Sequence, residues 1–395
     1  MNAHVPTGPT SAPTALRAIL TPGALARVAL GWLAAGLLAA AAPLLHDAAS
    51  TPVLIAVLVA TIGVVVVCAL GVVQQAERLA ERLGDPWGTL VLTLSIVLIE
   101  VVLIVAIMLG PGEHATIARD SVLAVSMIIL NLVIGVALVA GGLRHGGLRH
   151  NRTGTSTYLG MLVALLALVF GLPTLAGAGG TFTPVAAVVV IVLTLASYGF
   201  FLWRQIGAQA GDYVEIAYAH AGMRSPEGQA ARGTAGRSTP SPRTHRTELI
   251  ARTAVLAATM APIVLLSHNL AALLDDGFAR LQAPPTLSGV IIAAIVFLPE
   301  SVTAVRAAHR GEIQRVINLC HGALVSTVGL TIPAVLMVGL LTGAHPVFAL
   351  DPVTALLLTA SLVLSIATFS GRRVTAVHGS AHLVLFAMFV LTLFA

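Results

Sequence analysis

The chain has 395 residues, of which 57% are hydrophobic and only 9% are charged, and its mean hydropathy is +0.96. A soluble domain carries roughly 25% charged residues, so this chain has too few charges to cover a water-facing surface. The composition excludes a cytosolic enzyme, a secreted disulfide scaffold, a nucleic-acid binder and a disordered protein. It indicates an integral membrane protein built from helices, because apolar runs near 20 residues match the thickness of a bilayer.

Eleven apolar runs are long enough, or nearly long enough, to span a bilayer as helices. They lie at residues 25–46, 52–74, 88–110, 120–141, 158–176, 184–203, 249–274, 286–308, 317–342, 352–370 and 375–394. These runs predict an all-α polytopic membrane protein with about eleven transmembrane helices.

The arginines predict the orientation, since all 21 basic residues are Arg. When loops and helix ends are counted together, 19 of them fall on one side of the predicted membrane, and only Arg119 and Arg280 fall on the other. Cytoplasmic loops are enriched in basic residues, so we expect a cytoplasmic N-terminus and an outside C-terminus. The polar start of the chain lacks the charged region of a secretory signal, and we expect the first span to be retained.

Spans 2–6 and 7–11 form two halves of five. An odd number of spans in each half forces the halves into opposite orientations, which is the inverted repeat typical of secondary transporters. We therefore divide the chain into four parts. They are a polar N-terminus with an extra helix (1–50), a first inverted repeat (51–204), a cytoplasmic loop predicted to be disordered (205–248) and a second inverted repeat (249–395).

Two acids lie deep inside predicted spans, Glu100 in the third and Glu300 in the eighth. Those spans are the second of each half, so an inverted repeat brings the two side chains together near the midplane. Intramembrane acids usually mark ion or proton pathways; the alternative is a neutral glutamate hydrogen-bonded to a neighbouring helix. The charge of two carboxylates matches one divalent cation, two monovalent cations or two protons. Glu100 and Glu300 are thus the predicted metal and proton ligands.

Further ligands are predicted beside the glutamates, because Ca²⁺ takes about six to eight oxygens. Pro299 has no N–H and releases a carbonyl from the helix ladder, either as a cation ligand or in an ordinary kink. The fourth and ninth spans each carry polar and small residues on one face. We predict cation- or proton-binding roles for Asn131, Asn318, His321, Ser326 and Thr327. The alternative for these residues is close helix packing through small side chains.

The segments that carry these residues resemble a known family. GDPWGTLVLTLSIVLIEVVLI (84–104) and TIARDSVLAVSMIILNLVIGVALVAGGLRH (116–145) resemble the first signature region of bacterial ChaA-type calcium/proton antiporters. VFLPESVTAVRAAHRGEIQRVINLCHGALVSTVGLTIPAVL (296–336) resembles their second region, and FSGRRVTAVHGSAHLVLFAMFVLTLFA (369–395) is similar to their C-terminus. The likeness runs from about Ala76 to the end of the chain, apart from the central loop.

This family belongs to the calcium/cation antiporter superfamily, and the resemblance implies its fold and site. The fold is two inverted five-helix repeats after an extra N-terminal helix, with cation and protons bound at Glu100 and Glu300. The chain departs from the wider superfamily, whose members often have Gly-Asn before the first acid, whereas Val97-Leu98-Ile99 stands here. Some relatives have an acidic, His-rich central loop. The loop is basic here, and we do not expect it to sense cations.

The leading hypothesis is a Ca²⁺/H⁺ antiporter of a bacterial inner membrane that works by alternating access. Na⁺/H⁺ or K⁺/H⁺ antiport on the same scaffold is the alternative, and a cation channel is a hypothesis from another class. The sequence contains neither a P-loop nor an H-E-x-x-H motif, so we expect neither enzymatic activity nor ATP-driven pumping. We expect inorganic cations, protons and lipid as partners, with no nucleic acid and no cofactor.

Overall fold

The structure is a computed structural model that describes residues 20–48, 50–83, 97–102, 104–105, 108–109, 115–176, 178–215, 242–284 and 287–394. Within these ranges the chain is almost entirely helical, and we number its long helices and the segment at Glu100 in chain order. They are α1 Pro22–Ala48, α2 Thr51–Leu83, α3 97–102, α4 Ile117–His145, α5 Arg152–Leu175, α6 Pro184–Ile206, α7 Pro242–Leu281, α8 Leu287–His309, α9 Ile313–Thr342, α10 Pro352–Ser370 and α11 Ala376–Thr392.

Among the described residues, seven helices are long and apolar enough to cross a bilayer, namely α1, α2, α4, α5, α6, α9 and α10. An eighth is α8, if its parts Gly289–Leu298 and Glu300–His309 form one span bent by 53°. The helix α11 and the part of α7 from Ile250 to Leu266 are shorter apolar helices. The helices follow the order of the eleven predicted spans, with α3 in the described part of the run 88–110. The chain is therefore an all-α membrane protein.

Two helices, α5 and α7, begin six or more residues earlier than predicted. Helix α5 begins at Arg152 rather than 158, because the Asn151 side chain caps it by accepting hydrogen bonds from two amides of the first turn, at 3.1 and 3.3 Å. Helix α7 begins at Pro242 rather than 249, since proline fits the first helical turn without needing an N–H partner. The end of the predicted disordered loop is thus helical, while its residues 216–241 lie outside the described residues.

The two halves, α2–α6 and α7–α11, repeat one packing pattern. Helix α2 packs on α7, α11 packs along α4, and α6 packs along α9 in the corresponding way. Helices α4 and α9 each contain a π-helical turn, at Ile128–Val133 and Thr327–Thr331. The two turns overlap in register when Arg119 of α4 is aligned with Arg315 of α9. A π turn is rare and often marks a functional site, so its occurrence at matching positions supports the repeat.

Two antiparallel backbone bridges join loops of opposite halves. Leu148, between α4 and α5, pairs with Val374, between α10 and α11, with both N···O distances at 2.9 Å. Thr181, between α5 and α6, pairs with Val347, between α9 and α10. Exchanging the two halves turns one bridge into the other. The fold is thus two inverted five-helix repeats preceded by α1.

Helices α4 and α9 form the centre of the bundle, whereas α6 exposes apolar side chains such as Val185 and Phe200 on its outer face. The close approach of α11 to α4 depends on two glycines. A Cβ atom at Gly379 would lie 2.6 Å from the carbonyl oxygen of Gly135, which no side chain tolerates. Small residues let membrane helices pack this closely, and the contact brings α11 onto the π turn of α4.

Candidate functional site

Glu100 and Thr327 join the two halves at the centre of the bundle. Glu100 lies in α3 with only 1% of its surface exposed, and Thr327 is fully buried at the first position of the π turn in α9. The Thr327 Oγ1 hydroxyl donates a hydrogen bond to Glu100 Oε2 at 2.6 Å. The other oxygen of this carboxyl, Oε1, is buried without a hydrogen-bond partner among the described residues. It is therefore placed to accept a proton or a cation.

Glu300 lies in α8 directly after the 53° bend, and its side chain is 8% exposed. Pro299 stands at the bend. Because proline has no N–H, it cannot bond to the carbonyl of Ile295 in the helix ladder. The Glu300 carboxyl lies within electrostatic range of Glu100 and also of Cys320 in α9. Both glutamates thus lie near α9 and within electrostatic range of each other, one from each half.

Ser326 precedes Thr327 on α9 and is held by α6. Its Oγ accepts a hydrogen bond from the Tyr198 hydroxyl at 2.9 Å and donates one to the Gly322 carbonyl at 2.8 Å. The Tyr198 ring packs on Gly329, where a Cβ atom would lie 2.8 Å from the ring. Ser326 is therefore next to Thr327 in the chain but is hydrogen-bonded to Tyr198 and Gly322. Tyr198 holds in place the π turn that carries Thr327.

Asn131 holds the register position of Thr327 in the other half, but its side chain is directed to different helices. Its Nδ2 donates to Ser361 Oγ of α10 at 2.7 Å, and its Oδ1 lies 3.4 Å from His382 Nδ1 of α11. The π turn that carries Asn131 packs against α8, the helix of Glu300. Asn131 thus braces the wall behind the second glutamate.

Asn318 and His321 lie nearer the first turn of α9. The Asn318 Nδ2 donates to the Tyr213 carbonyl at 2.7 Å, and its nine-residue separation from Thr327 corresponds to ~14 Å along a helix. His321 is fully buried two turns from Thr327, with Tyr158 and Phe369 beside its ring. The structure therefore groups Glu100, Glu300 and Thr327, with Ser326 adjacent, and places Asn318 and His321 toward one end.

This arrangement offers oxygen ligands and few others. Among the described residues, no group of three or more His, Cys, Asp and Glu side chains is positioned to hold a metal ion. Two carboxyls with a neighbouring hydroxyl can instead bind a cation transiently or carry protons, since hard cations prefer oxygen ligands.

Sequence reasoning did not assign roles to two residues of the site walls, Tyr198 and Ser361. Tyr198 is a tyrosine within an apolar span, and a buried tyrosine hydroxyl usually has a hydrogen-bond partner. Ser361 belongs to a stripe with Ser365 and Thr368, all three fully buried on one face of α10. The spacing of the stripe could have identified this face from the sequence, but the helix it touches could not be read there.

Comparison with known proteins finds relatives that match both helical halves of the chain. The family model of the sodium/calcium exchanger protein matches residues 53–207 and 252–395. These two ranges correspond to the two helical halves and leave out the central loop. The sodium-potassium/proton antiporter ChaA of Escherichia coli (strain K12) is 32% identical over 345 residues, covering 87% of this chain and 90% of that protein.

Two solved structures share the fold at low identity. The structure of native YfkE has a TM-score of 0.67 at 14% identity and covers 93% of this chain and 99% of its own. The H⁺/Ca²⁺ exchanger CAX has a TM-score of 0.63 at 14% identity, covering 93% and 87%. With its two matched halves and its relative at 32% identity, the chain belongs to the sodium/calcium exchanger protein family.

Proposed function

We propose that the chain exchanges a cation for protons across the membrane by alternating access, with Ca²⁺ as its main cation. One observation carries the proposal: Glu100 and Glu300, one from each half, are both buried and lie within electrostatic range beside α9. Thr327 donates a hydrogen bond to one oxygen of Glu100 and leaves the other without a partner among the described residues. A relative named for proton antiport supports the coupling.

Charge balance favours a divalent cation. Two ionised glutamates carry a charge of −2, which one Ca²⁺ neutralises. Two protons neutralise the same pair on the return step. An uncompensated charge in the membrane interior costs several kcal/mol. Exchange of one Ca²⁺ for two protons avoids this cost, because the glutamate pair is neutralised both when the cation is carried outward and when the protons are carried inward. The protein therefore never has to change its open side while the two glutamates are ionised and without a bound cation.

Na⁺/H⁺ or K⁺/H⁺ exchange is the second candidate. The name of the relative in Escherichia coli specifies sodium and potassium, and two monovalent cations satisfy the same charge balance. Selectivity between the two classes depends on ligand number and cavity size. A decisive experiment must therefore test each cation separately.

The cycle we propose begins with an ionised pair that opens to the cytoplasm and takes a cation. The site then opens to the other side, the cation leaves, and protons bind for the return. Basic loops on the side of Arg144, Arg149 and Arg310 support a cytoplasmic location for that face. On this assignment the protein lies in the inner membrane of a bacterium with its N-terminus in the cytoplasm.

The test uses inside-out membrane vesicles that contain the chain and hold a proton gradient followed with a pH-sensitive dye. Ca²⁺, Na⁺ and K⁺ are added one at a time to the parent, Glu100→Gln and Glu300→Gln. Glu312→Gln is the matched control, because Glu312 is a half-exposed surface carboxyl that pairs with Arg315 at 3.3 Å. We expect a cation to collapse the gradient in the parent and the control, but in neither site variant.

The outcomes separate the parts of the proposal. Full exchange in Glu100→Gln or Glu300→Gln refutes the shared carboxyl pair. Collapse by Na⁺ or K⁺ but not by Ca²⁺ replaces the main cation with the second candidate. If no cation collapses the gradient in the parent, cation/proton antiport is refuted.

A further inference from the structure

Two buried histidines of the bundle differ in the state of their ring nitrogens. His382 is fully buried and has both nitrogens engaged, Nδ1 with Asn131 Oδ1 at 3.4 Å and Nε2 with Thr368 Oγ1 at 3.1 Å. His321 is equally buried, and the backbone carbonyl of Ile317, one turn earlier on α9, is the hydrogen-bonding group beside its ring. Neither ring nitrogen makes a hydrogen bond of normal length and angle among the described residues, and at most one nitrogen can use that carbonyl. A buried polar group without a protein partner calls for water, an ion or a catalytic role. His382 thus connects α11 to α4 and α10 through both ring nitrogens, whereas His321 makes no comparable pair of hydrogen bonds among the described residues.

The surroundings of His321 contain a second histidine with a bare nitrogen. The Phe369 ring stands edge-on to His321, with centroids 5.3 Å apart, and also edge-on to His150, at 5.4 Å. His150 lies in the loop between α4 and α5. Its Nε2 donates to the Phe369 carbonyl at 3.0 Å, which leaves the buried Nδ1 as an acceptor without a partner in the described part of the chain. Among the described residues, the titratable groups that face His321 are Tyr158 of α5, His150 of the loop and His382 of α11.

The loop histidine is neutral and offers a ring nitrogen that can carry a proton transiently. Burial lowers the pKa of the His150 imidazole, against the opposing effect of its hydrogen bond to Phe369. The ring is therefore neutral at neutral pH, and its Nδ1 carries a free lone pair. The loop lies among Arg144, Arg149 and Arg152, on the face assigned to the cytoplasm.

His321 stands between this face and the carboxyl pair. It precedes Thr327 by six residues on α9, about 9 Å along a helix, and Thr327 holds Glu100. We propose that His321 and His150 relay protons between the cytoplasm and the Glu100–Glu300 pair. This inference rests on the proposed antiport function and adds the route that the protons take on one side of the membrane.

The transfer is balanced without any further reactant. A protonated glutamate gives its proton to a bridging water, which gives a proton to one ring nitrogen of His321. The resulting imidazolium gives the proton on its other nitrogen to His150 Nδ1, and the protonated His150 then gives the proton on its Nε2 to cytoplasmic water. Both histidines end neutral, and one proton has moved from the glutamate to the cytoplasm. An imidazole can act in this way because its two nitrogens serve as acceptor and donor in turn. Phe369 and Tyr158 keep the ring in place by packing.

The experiment separates proton transfer from cation movement in vesicles of purified full-length protein. One assay measures cation-driven proton flux, and the other measures exchange of labelled for unlabelled cation at equal pH, which needs no proton. The variants are His321→Gln, His321→Phe and His150→Gln. The matched control is His345→Gln, an exposed histidine in the loop between α9 and α10. His321→Phe keeps a ring against Tyr158 and Phe369, which covers the case in which glutamine disturbs the packing.

We expect each variant at 321 and 150 to lose about tenfold or more of its proton flux while labelled-cation exchange stays within about twofold of the parent. His345→Gln should match the parent in both assays. Unchanged proton flux in the folded variants overturns the relay, as does an equal loss in both assays, which assigns His321 to packing or cation binding. A parent without cation-driven proton flux instead refutes the antiport function itself.

Discussion

Thr327 and Asn131 occupy the same register position in the two halves, yet Thr327 is hydrogen-bonded to a glutamate and Asn131 to a serine. Thr327 donates to Glu100 at 2.6 Å, whereas Asn131 donates to Ser361 at 2.7 Å. The two halves are therefore alike in backbone and different in the use of their central side chain.

Removal of the Thr327 hydroxyl should weaken cation binding. Thr327→Val keeps the branched shape and deletes the donor to Glu100. A hydrogen bond to a charged group contributes about 1.5–3 kcal/mol, so we expect the cation concentration for half-maximal exchange to rise roughly tenfold or more. Thr327→Ser retains the hydroxyl and should resemble the parent. Equal behaviour of the valine and serine variants would show that this hydrogen bond does not contribute.

Loss of the Asn131 side chain should destabilise the bundle. Asn131→Leu leaves Ser361 and His382 each with one fewer partner in a fully buried position. We expect a cost of roughly 1–3 kcal/mol, seen as a lower melting temperature in detergent. Ser361→Ala removes one of the two contacts and should cost less. If Asn131→Leu melts with the parent, the brace between α4, α10 and α11 does not stabilise the fold.

A methyl group at the α4–α11 crossing should force the helices apart. In Gly379→Ala the new Cβ atom meets the backbone at 2.6 Å from the Gly135 oxygen and 2.7 Å from the Val139 nitrogen. Backbone atoms cannot rotate away, so we expect a loss of roughly 1–3 kcal/mol from overpacking. Gly199→Ala on α6 is the control, because a Cβ atom there has no described neighbour within 4 Å. Its melting temperature should stay level or rise, since alanine favours helix over glycine.

Stability should depend on pH through Glu215, which lies outside the spans and accepts a hydrogen bond from the Arg315 amide at 3.1 Å. Burial raises the pKa of the Glu215 carboxyl, and this exceeds the opposite effect of the amide hydrogen bonds. Because the folded pKa lies above the unfolded one, its contribution to stability is complete at low pH and is lost as pH rises through the folded pKa.

Glu215→Gln removes this titration and keeps an oxygen acceptor. We expect the variant to melt above the parent at about pH 8, with the difference closing toward about pH 4, where the parent carboxyl is also protonated. Glu215→Ala also loses the acceptor at the start of α9 and should melt below Glu215→Gln at both values. A melting difference between parent and Glu215→Gln that grows toward low pH would contradict the raised pKa of this carboxyl.

Much of the fold followed from the sequence because lipid imposes a length and a polarity on each span. Pro352–Ser370 coincides with the predicted run 352–370, and Leu287–His309 with 286–308 to within one residue. The early start of α5 was missed, because its first turn is polar and carries no hydropathy signal. The π turns at Ile128–Val133 and Thr327–Thr331 were missed for another reason, since one extra residue in a helical turn leaves no mark in composition or spacing.

The site was predicted in outline and not in its contacts. Glu100 and Glu300 stood out because acids are costly in lipid, and the odd number of spans in each half brought them together. The direction of a polar side chain depends on which neighbouring helix meets it. Asn131 turns to α10 and α11, and Asn318 reaches the Tyr213 carbonyl, although both share a helix face with small residues that favoured the site.

The loop bridges bear on how such a molecule can change shape. Leu148–Val374 and Thr181–Val347 each fasten a hairpin of one half to a hairpin of the other, at opposite ends of the bundle. The two halves that the sequence repeat defines are consequently hydrogen-bonded to each other at both ends, and separating them as rigid bodies would break both bridges. Helices α2 and α7 pack on each other and do not flank either of these two bridges. The bridges thus join the hairpins of α4–α6 to those of α9–α11, whereas α2 and α7 join the two halves by helix packing.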